Sequence, residues 1–144
     1  MRLIAFLLFA LCVKSVSVSG QSVNYEKIDS IYSELGKNKA LKERGDLFYE
    51  LSKTYSDVYP DSTIKYALKS LAIYSKTGEQ EATIIDLNYR LGVAYLDLNL
   101  EKSHYFIKQS LAQSRAIKDD RMKSMNYLAY AAYLSLIHIS EPTR

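Results

Sequence analysis

Few side chains in this sequence of 144 residues have the type and spacing that bond chemistry requires. His104 and His138 stand far apart, and neither has a cysteine or a second histidine at metal-ligand spacing. There is no glycine-rich phosphate loop, and no set of Ser, His and Asp residues is spaced so that a catalytic triad can be predicted. The acidic residues Asp119, Asp120, Glu79 and Glu81 are typical of helix starts, with metal binding as the less favoured alternative. We therefore expect no enzyme activity, no cofactor and no metal site.

The chain instead repeats itself with a period of 40 residues. It reads DLFYELSKTY at 46–55 and DLNYRLGVAY at 86–95, and nine positions are identical between 46–72 and 86–112. Matches lie at both ends of this stretch, so the whole unit is repeated. A period of this size is typical of stacked arrays in which neighbouring units bury each other's apolar faces.

Each unit is predicted to contain two helices. Leu47, Leu51, Tyr55 and Val58 recur at three- and four-residue steps, and their counterparts 40 residues later do the same. Pro60 then breaks the chain, and Asp61 or Ser62 is predicted to cap the next helix. The buried side of that helix is predicted to carry Ile64, Ala67, Leu68, Leu71 and Ala72, and Gly78 to end it.

The remaining boundaries follow from the same signals. A leading amphipathic helix is predicted at 25–35, within a segment 21–38, with Gly36 ending it. In the second unit the letters NLEK make the turn, and a helix is predicted at 103–117. The repeats are therefore predicted at about 39–78 and 79–118, followed by an incomplete repeat at 119–133 that begins at Asp119 or Asp120.

The residue types of these units resemble the tetratricopeptide repeat. Its first helix places Leu, then Gly, then an aromatic residue three further on, and here these are Leu91, Gly92 and Tyr95. The corresponding letters are LSKTY at 51–55 and LAYAA at 128–132, where alanine replaces the aromatic residue. The period is 40 rather than about 34, and the helix-terminal proline is missing. The resemblance implies an all-α fold of antiparallel helix hairpins stacked as a right-handed α-solenoid.

The resemblance also implies a peptide groove. A second stripe of the first helix lies roughly 140° from the apolar one and corresponds to the positions that line the concave surface in tetratricopeptide proteins. The candidates are Asp46, Tyr49, Lys53, Asp57, Asp86, Tyr89, Val93, Asp97, Lys123, Asn126 and Tyr130. Tyrosine offers a large contact area with one hydrogen-bonding tip. The alternative is that the tyrosines pack internally and that the aspartates are solvated or favour helix starts.

The first twenty residues have the layout of a secretory signal peptide. Arg2 precedes an apolar run from Leu3 to Val13, which is too short to span a bilayer, and small residues lead to Gly20. We expect cleavage after Gly20 and export to the periplasmic or extracellular side of a bacterial membrane. The alternative is a lipoprotein anchored through Cys12, although Leu11 is bulky for that signal.

The last eleven residues, LSLIHISEPTR at 134–144, resemble the in-frame translation of a widely used sequencing adapter. If they are adapter, the natural chain continues differently after Tyr133. We therefore expect the third repeat to be interrupted after Tyr133, so that the helix that begins near Asp120 lacks its partner helix.

Charge gives little indication of a partner. Without Arg2, Lys14 and Arg144, 16 of the 19 basic residues remain, and without Glu141, 15 of the 16 acidic ones remain. This near balance predicts no nucleic-acid partner for the segment. We predict an exported module that binds a protein or peptide. The alternative is the N-terminal sensory region of a longer signalling protein, with a membrane tether and a histidine-kinase or helix-turn-helix output domain.

Overall fold

The computed structural model describes residues 23–56, 58–78 and 81–140, with side chains described as far as His138. The signal-like start and Asp57 lie outside these residues. The described part contains six α-helices and no strand, which confirms the predicted all-α class there. The helices are α1 Tyr25–Leu35, α2 Leu41–Tyr55, α3 Pro60–Thr77, α4 Glu81–Ala94, α5 Leu100–Ala116 and α6 Asp120–Ser140.

Side-chain caps and glycines set most of the helix ends. Asn24 and Asn99 each accept a hydrogen bond from a backbone N–H of the first turn that follows, at 2.9 Å, and so begin α1 and α5. Gly78 ends α3 with φ of 69°, a left-handed conformation that glycine tolerates. The predicted caps of α3, Asp61 or Ser62, lie two or three residues after the observed N-cap, Tyr59. Pro60 is the first residue of the helix, since proline's fixed φ suits that position and its missing N–H is not needed there.

The helices pack in the order of the sequence. The most extensive contacts join α2 to α3 and α4 to α5, so these are two helical hairpins. We call α2, α4 and α6 the first helices, since each begins a predicted repeat. They also touch one another: α2 contacts α4, and α4 contacts α6. Helix α1 packs on α2, while α6 packs mainly on α5. Helix α3 also packs on α4, so each helix from α1 to α6 contacts the next one in the sequence.

Side-chain contacts repeat with the 40-residue period. The Ser70 hydroxyl donates to the Gly45 carbonyl at 2.9 Å, and the Ser110 hydroxyl donates to the Ile85 carbonyl at 2.8 Å. Aromatic rings repeat as well. Tyr55 stacks on Tyr66 with centroids 5.7 Å apart, and Tyr95 stacks on Phe106 with centroids 5.8 Å apart. Both hairpins are thus closed by the same two kinds of contact.

The second hairpin contains a close helix approach. A Cβ atom added to Gly92 would lie 2.5 Å from Cγ1 and 3.0 Å from the backbone nitrogen of Ile107. The equivalent positions of the first hairpin hold Ser52 and Ala67, which are also fully buried. In the second hairpin the larger side chain, Ile107, therefore faces the smaller residue, Gly92, as close packing at a helix contact requires.

The core differs from the predicted one on α3. Leu51, Leu87 and Leu91 are fully buried, in agreement with the apolar stripe of the first helices. On α3, however, Leu68 is 40% exposed, and Ala72 is exposed as well. The buried face carries Thr63, Tyr66, Ala67, Ser70 and Tyr74. Small hydroxyl residues can lie inside because they let the helices approach and can donate to a backbone carbonyl, which is Gly45 of α2 for Ser70 and Tyr59, four residues earlier, for Thr63.

Helix α6 also departs from expectation. It runs without a break from Asp120 to Ser140, through most of the adapter-like segment. Ala129 and Tyr133 are buried, whereas Leu128, at the position equivalent to Leu91, is 72% exposed. The difference arises because no second helix of a third hairpin lies on that side within the described residues. None of the described helices combines the length and apolar character needed to cross a bilayer.

Candidate functional site

A cavity of about 340 Å³ opens between the first helices of three successive units. Helix α2 contributes Tyr49 and Lys53, α4 contributes Asp86 and Arg90, and the start of α6 contributes Met122 and Met125. We call this cavity the first-helix groove. Its volume lies at the lower end of the range for ligand pockets, roughly 300–1,000 Å³.

A buried carboxylate links two walls of the groove. The Tyr49 hydroxyl donates to Oδ2 of Asp86 at 2.8 Å, so α2 is tied to α4. Within α4, Nε of Arg90 donates to the same oxygen at 2.7 Å, and Nη2 donates to Oδ1 at 3.4 Å. Burial and the neighbouring carboxylate hold the pKa of Tyr49 well above its ordinary value. Tyr49 therefore keeps its proton and serves as a fixed donor.

The rim of the groove carries cations. Lys53 pairs with Glu50 at 2.8 Å, and its Nζ lies 5.1 Å from the centre of the Tyr49 ring. Arg121 lines the same cavity, is exposed, and forms no ion pair with any residue the structure describes. Because Arg90 is paired with Asp86 and Lys53 with Glu50, Arg121 is the cation of this groove that has no ion pair with a described residue.

The floor on the α6 side is apolar and begins at a helix cap. Oδ1 of Asp119 accepts from the backbone N–H of Met122 at 2.9 Å and so fixes the first turn of α6. Met122 and Met125 are half-buried beside it. Methionine is unbranched and adapts to differently shaped apolar partners.

Three of the sequence-predicted residues line this groove, namely Tyr49, Lys53 and Asp86. Asp46 lies elsewhere, where its Oδ1 accepts from the Tyr74 hydroxyl at 2.7 Å within the first hairpin. Asp97 is exposed in the turn after α4. Asp57 belongs to the residues that the structure leaves undescribed.

Tyr89 and Val93 pack between units and do not line the groove. Both contact a cluster formed by Ile107, Ala129 and Tyr133. Tyr49 makes the equivalent contact one unit earlier, with the cluster that includes Leu87 and Leu91. The alternative of internal packing therefore describes Tyr89, while Tyr49 both packs and faces the cavity.

The three candidates on α6 also lie away from the cavity. Asn126 is fully buried, and its Nδ2 donates to the Met122 carbonyl at 2.9 Å. Tyr130 stacks against His104 with centroids 6.1 Å apart. Lys123 pairs with Asp120 at 3.1 Å. The groove positions of α4 were used to predict those of α6, and this prediction was wrong. Helix α6 is rotated so that positions 126, 129 and 133 face α4 and α5.

Sequence reasoning missed Arg90, Arg121 and the two methionines. A signal existed for Arg90, because it stands four residues after Asp86, the spacing of a helical ion pair. None existed for Arg121 or Met122, since their place depends on how α6 crosses α4. Within the described residues, no three His, Cys, Asp or Glu side chains gather as metal ligands would.

The geometry defines a helical-repeat-like protein whose first helices enclose a polar groove with cations at its rim. Comparison with family models, with curated proteins and with solved structures gave no match. The tetratricopeptide resemblance accordingly stays a prediction from the sequence.

Proposed function

We propose that this chain is an exported interaction module of tetratricopeptide type, which binds a peptide or protein segment in the first-helix groove. In this proposal the hairpins stack as a right-handed α-solenoid. The repeated Ser–carbonyl hydrogen bonds and repeated aromatic stacks support that arrangement, because both hairpins have the same internal geometry.

One observation carries the proposal above the others. The groove is made by the first helices of three successive units and by neither second helix. A surface assembled this way extends along the array and suits an elongated ligand. Tyr49 offers a ring and a polar tip, Met122 offers an adaptable apolar floor, and Arg121 offers a cation that pairs with no described residue.

The side chains of the groove suit binding better than bond chemistry. Asp86 has both oxygens engaged by Tyr49 and Arg90, so it is poorly placed to act as a base. Tyr49 holds its proton because of burial and the adjacent carboxylate, which raise its pKa. We therefore assign the module no catalytic role.

Selection from a phage-displayed random peptide library tests the groove. We expect Arg121→Ala and Lys53→Ala each to weaken the best selected peptide about tenfold, a typical cost for an anchoring residue. Both side chains are exposed, so the fold should be unaffected. Isothermal titration measures the affinities, with Lys108→Ala on α5 as the control for a charge lost elsewhere. Equal affinities for all four proteins would reject the groove as the binding site.

The proposal that the protein is exported rests on the first twenty residues alone. We expect the protein recovered from expressing bacterial cells to begin at Gln21, because small residues lead to Gly20 after the apolar run. Intact-mass measurement of the purified protein decides this. A chain that keeps Met1, or one that begins with a lipid-modified Cys12, would contradict the proposed cleavage.

A further inference from the structure

The outward sides of the two second helices carry six basic side chains. We call this surface the second-helix face and define it by Lys65, Lys69 and Lys76 of α3 together with Lys102, Lys108 and Arg115 of α5. All six residues are exposed. None of them belongs to the first-helix groove.

Helical geometry places these cations on the solvent side of each helix. On α3, positions 65, 69 and 76 fall within about 40° of one another, roughly opposite the buried Ser70 and Tyr74. On α5, positions 108 and 115 fall within about 20° of one another and border α6, whereas Lys102 lies roughly 120–140° round the helix from them and borders α3. Each second helix thus presents a basic ridge.

The cations of this face are not neutralised by ion pairs among the residues that the structure describes, although Glu101 lines the same cavity as Lys102. The ion pairs among the described residues lie on α1, α2, α4, α6 and the turn after α1. None of the six cations forms an ion pair with a described residue. The acidic residues within α3 and α5 are Asp61 and Glu101, near the helix starts. The nearly balanced overall charge therefore conceals one basic face.

Apolar side chains stand among these cations. Leu68 is 40% exposed and Tyr105 is 58% exposed, although a residue of either type gains from burial. They border a cavity of about 570 Å³ between α3 and α5, together with Tyr95 and Phe106. Nζ of Lys102 lies 5.4 Å from the centre of the Tyr95 ring, so charge and aromatic surface adjoin.

We propose that the second-helix face docks on the surface of an anionic phospholipid bilayer. Lysine and arginine side chains close to such a surface are attracted to its negative potential. Tyr105 has the amphipathic ring that suits the headgroup level, and Leu68 can reach the acyl boundary. A nucleic acid or another polyanion would use the cations but would give Leu68 no apolar partner. The exposed leucine therefore favours lipid.

The test uses the purified protein and vesicles of phosphatidylcholine with or without phosphatidylglycerol as the minority lipid. We expect the protein to co-sediment only with the vesicles that contain phosphatidylglycerol. This binding should weaken as the salt concentration is raised. Lys69→Gln with Lys108→Gln should lower the partition coefficient by about fivefold for each charge removed. The matched control is Lys37→Gln with Lys39→Gln, which removes two charges from the turn after α1 and should change it much less.

The Tyr105→Ala variant distinguishes binding to a lipid surface from binding to other polyanions. It should lower vesicle binding several-fold while leaving retention on heparin unchanged, and thermal melts confirm that each variant is folded. Three results would overturn the proposal: no phosphatidylglycerol-dependent binding by the unaltered protein, an equal loss in the Lys37/Lys39 control, or vesicle binding that is insensitive to Tyr105→Ala. The last result would indicate a polyanion, such as a nucleic acid, as the partner.

Discussion

Asp86→Ala is expected to lower the free energy of unfolding by about 2–3 kcal/mol, whereas Asp46→Ala, one repeat earlier, should cost about 1 kcal/mol or less. The two positions are equivalent in sequence but not in environment. The Asp86 side chain is 11% exposed and paired to Arg90, while the Asp46 side chain is 52% exposed, lies 3.4 Å from Lys42 and accepts a neutral hydrogen bond from the Tyr74 hydroxyl at 2.7 Å. Truncating Asp86 strands a guanidinium that is itself mostly buried.

This expectation reverses what the sequence suggests for Asp86. As a groove position it should tolerate truncation, but the structure makes it the hydrogen-bond acceptor that joins Tyr49 of α2 to α4. Urea unfolding of both variants measures the difference, provided that the slope with denaturant is unchanged. If Asp46→Ala and Asp86→Ala lose the same stability, the buried network does not hold the first helices together.

Gly92→Ala is expected to destabilise the protein by about 1–3 kcal/mol, because the added methyl group overlaps Ile107. The sign is informative. In a helix interior, alanine is ordinarily more favourable than glycine by about 0.5–1 kcal/mol, so a loss can come only from packing. Ser52→Ala, at the equivalent position of the first hairpin, should cost about 1 kcal/mol or less.

A double-mutant cycle locates the overlap. Ile107→Ala alone should cost about 2–5 kcal/mol through lost burial. In that background Gly92→Ala should cost much less than in the natural protein, giving a coupling of about 1 kcal/mol or more. Independent, additive effects of the two substitutions would show that the contact between α4 and α5 is looser than the structure describes.

Periodicity and turn residues predicted most of the helical framework. The bounds of α1 and its end at Gly36 agree with the sequence, as does the end of α3 at Gly78. These features depend on local chemistry, which a sequence displays directly. The 40-residue offset was equally visible, and the structure repeats it in the paired Ser70 and Ser110 hydrogen bonds.

Facing residues between helices were predicted less well. Leu68 was expected on the buried side of α3, yet it is 40% exposed, and Ser70, which was not among the predicted buried residues, is fully buried. Hydrophobicity favours leucine for burial, but a close helix contact favours a small side chain whose hydroxyl can bond to the partner's backbone. Which requirement wins depends on the distance between the helices, and spacing along one helix does not reveal that distance.

The candidate groove shows the same limit. Tyr49, Lys53 and Asp86 could be named from the stripe on the first helices, and all three line the cavity. The groove positions of α6 could not be predicted from those of α4. The rotation of α6 relative to α4 depends on tertiary packing, which the sequence of one helix does not reveal. Asn126, placed in the groove by register, is fully buried instead, while Met122 and Arg121 take part in the cavity.

Hydrogen exchange of the protein with and without its best library-selected peptide tests most directly whether ligands bind between the first helices. We expect slower exchange in the groove-lining turns of α2 and α4, around Lys53 and Arg90, and in the first turns of α6 near Met125. Exchange in α3 and α5 should be little changed. Protection confined to α3 and α5, with no change around Lys53 and Arg90, would show that the ligand binds outside the first-helix groove.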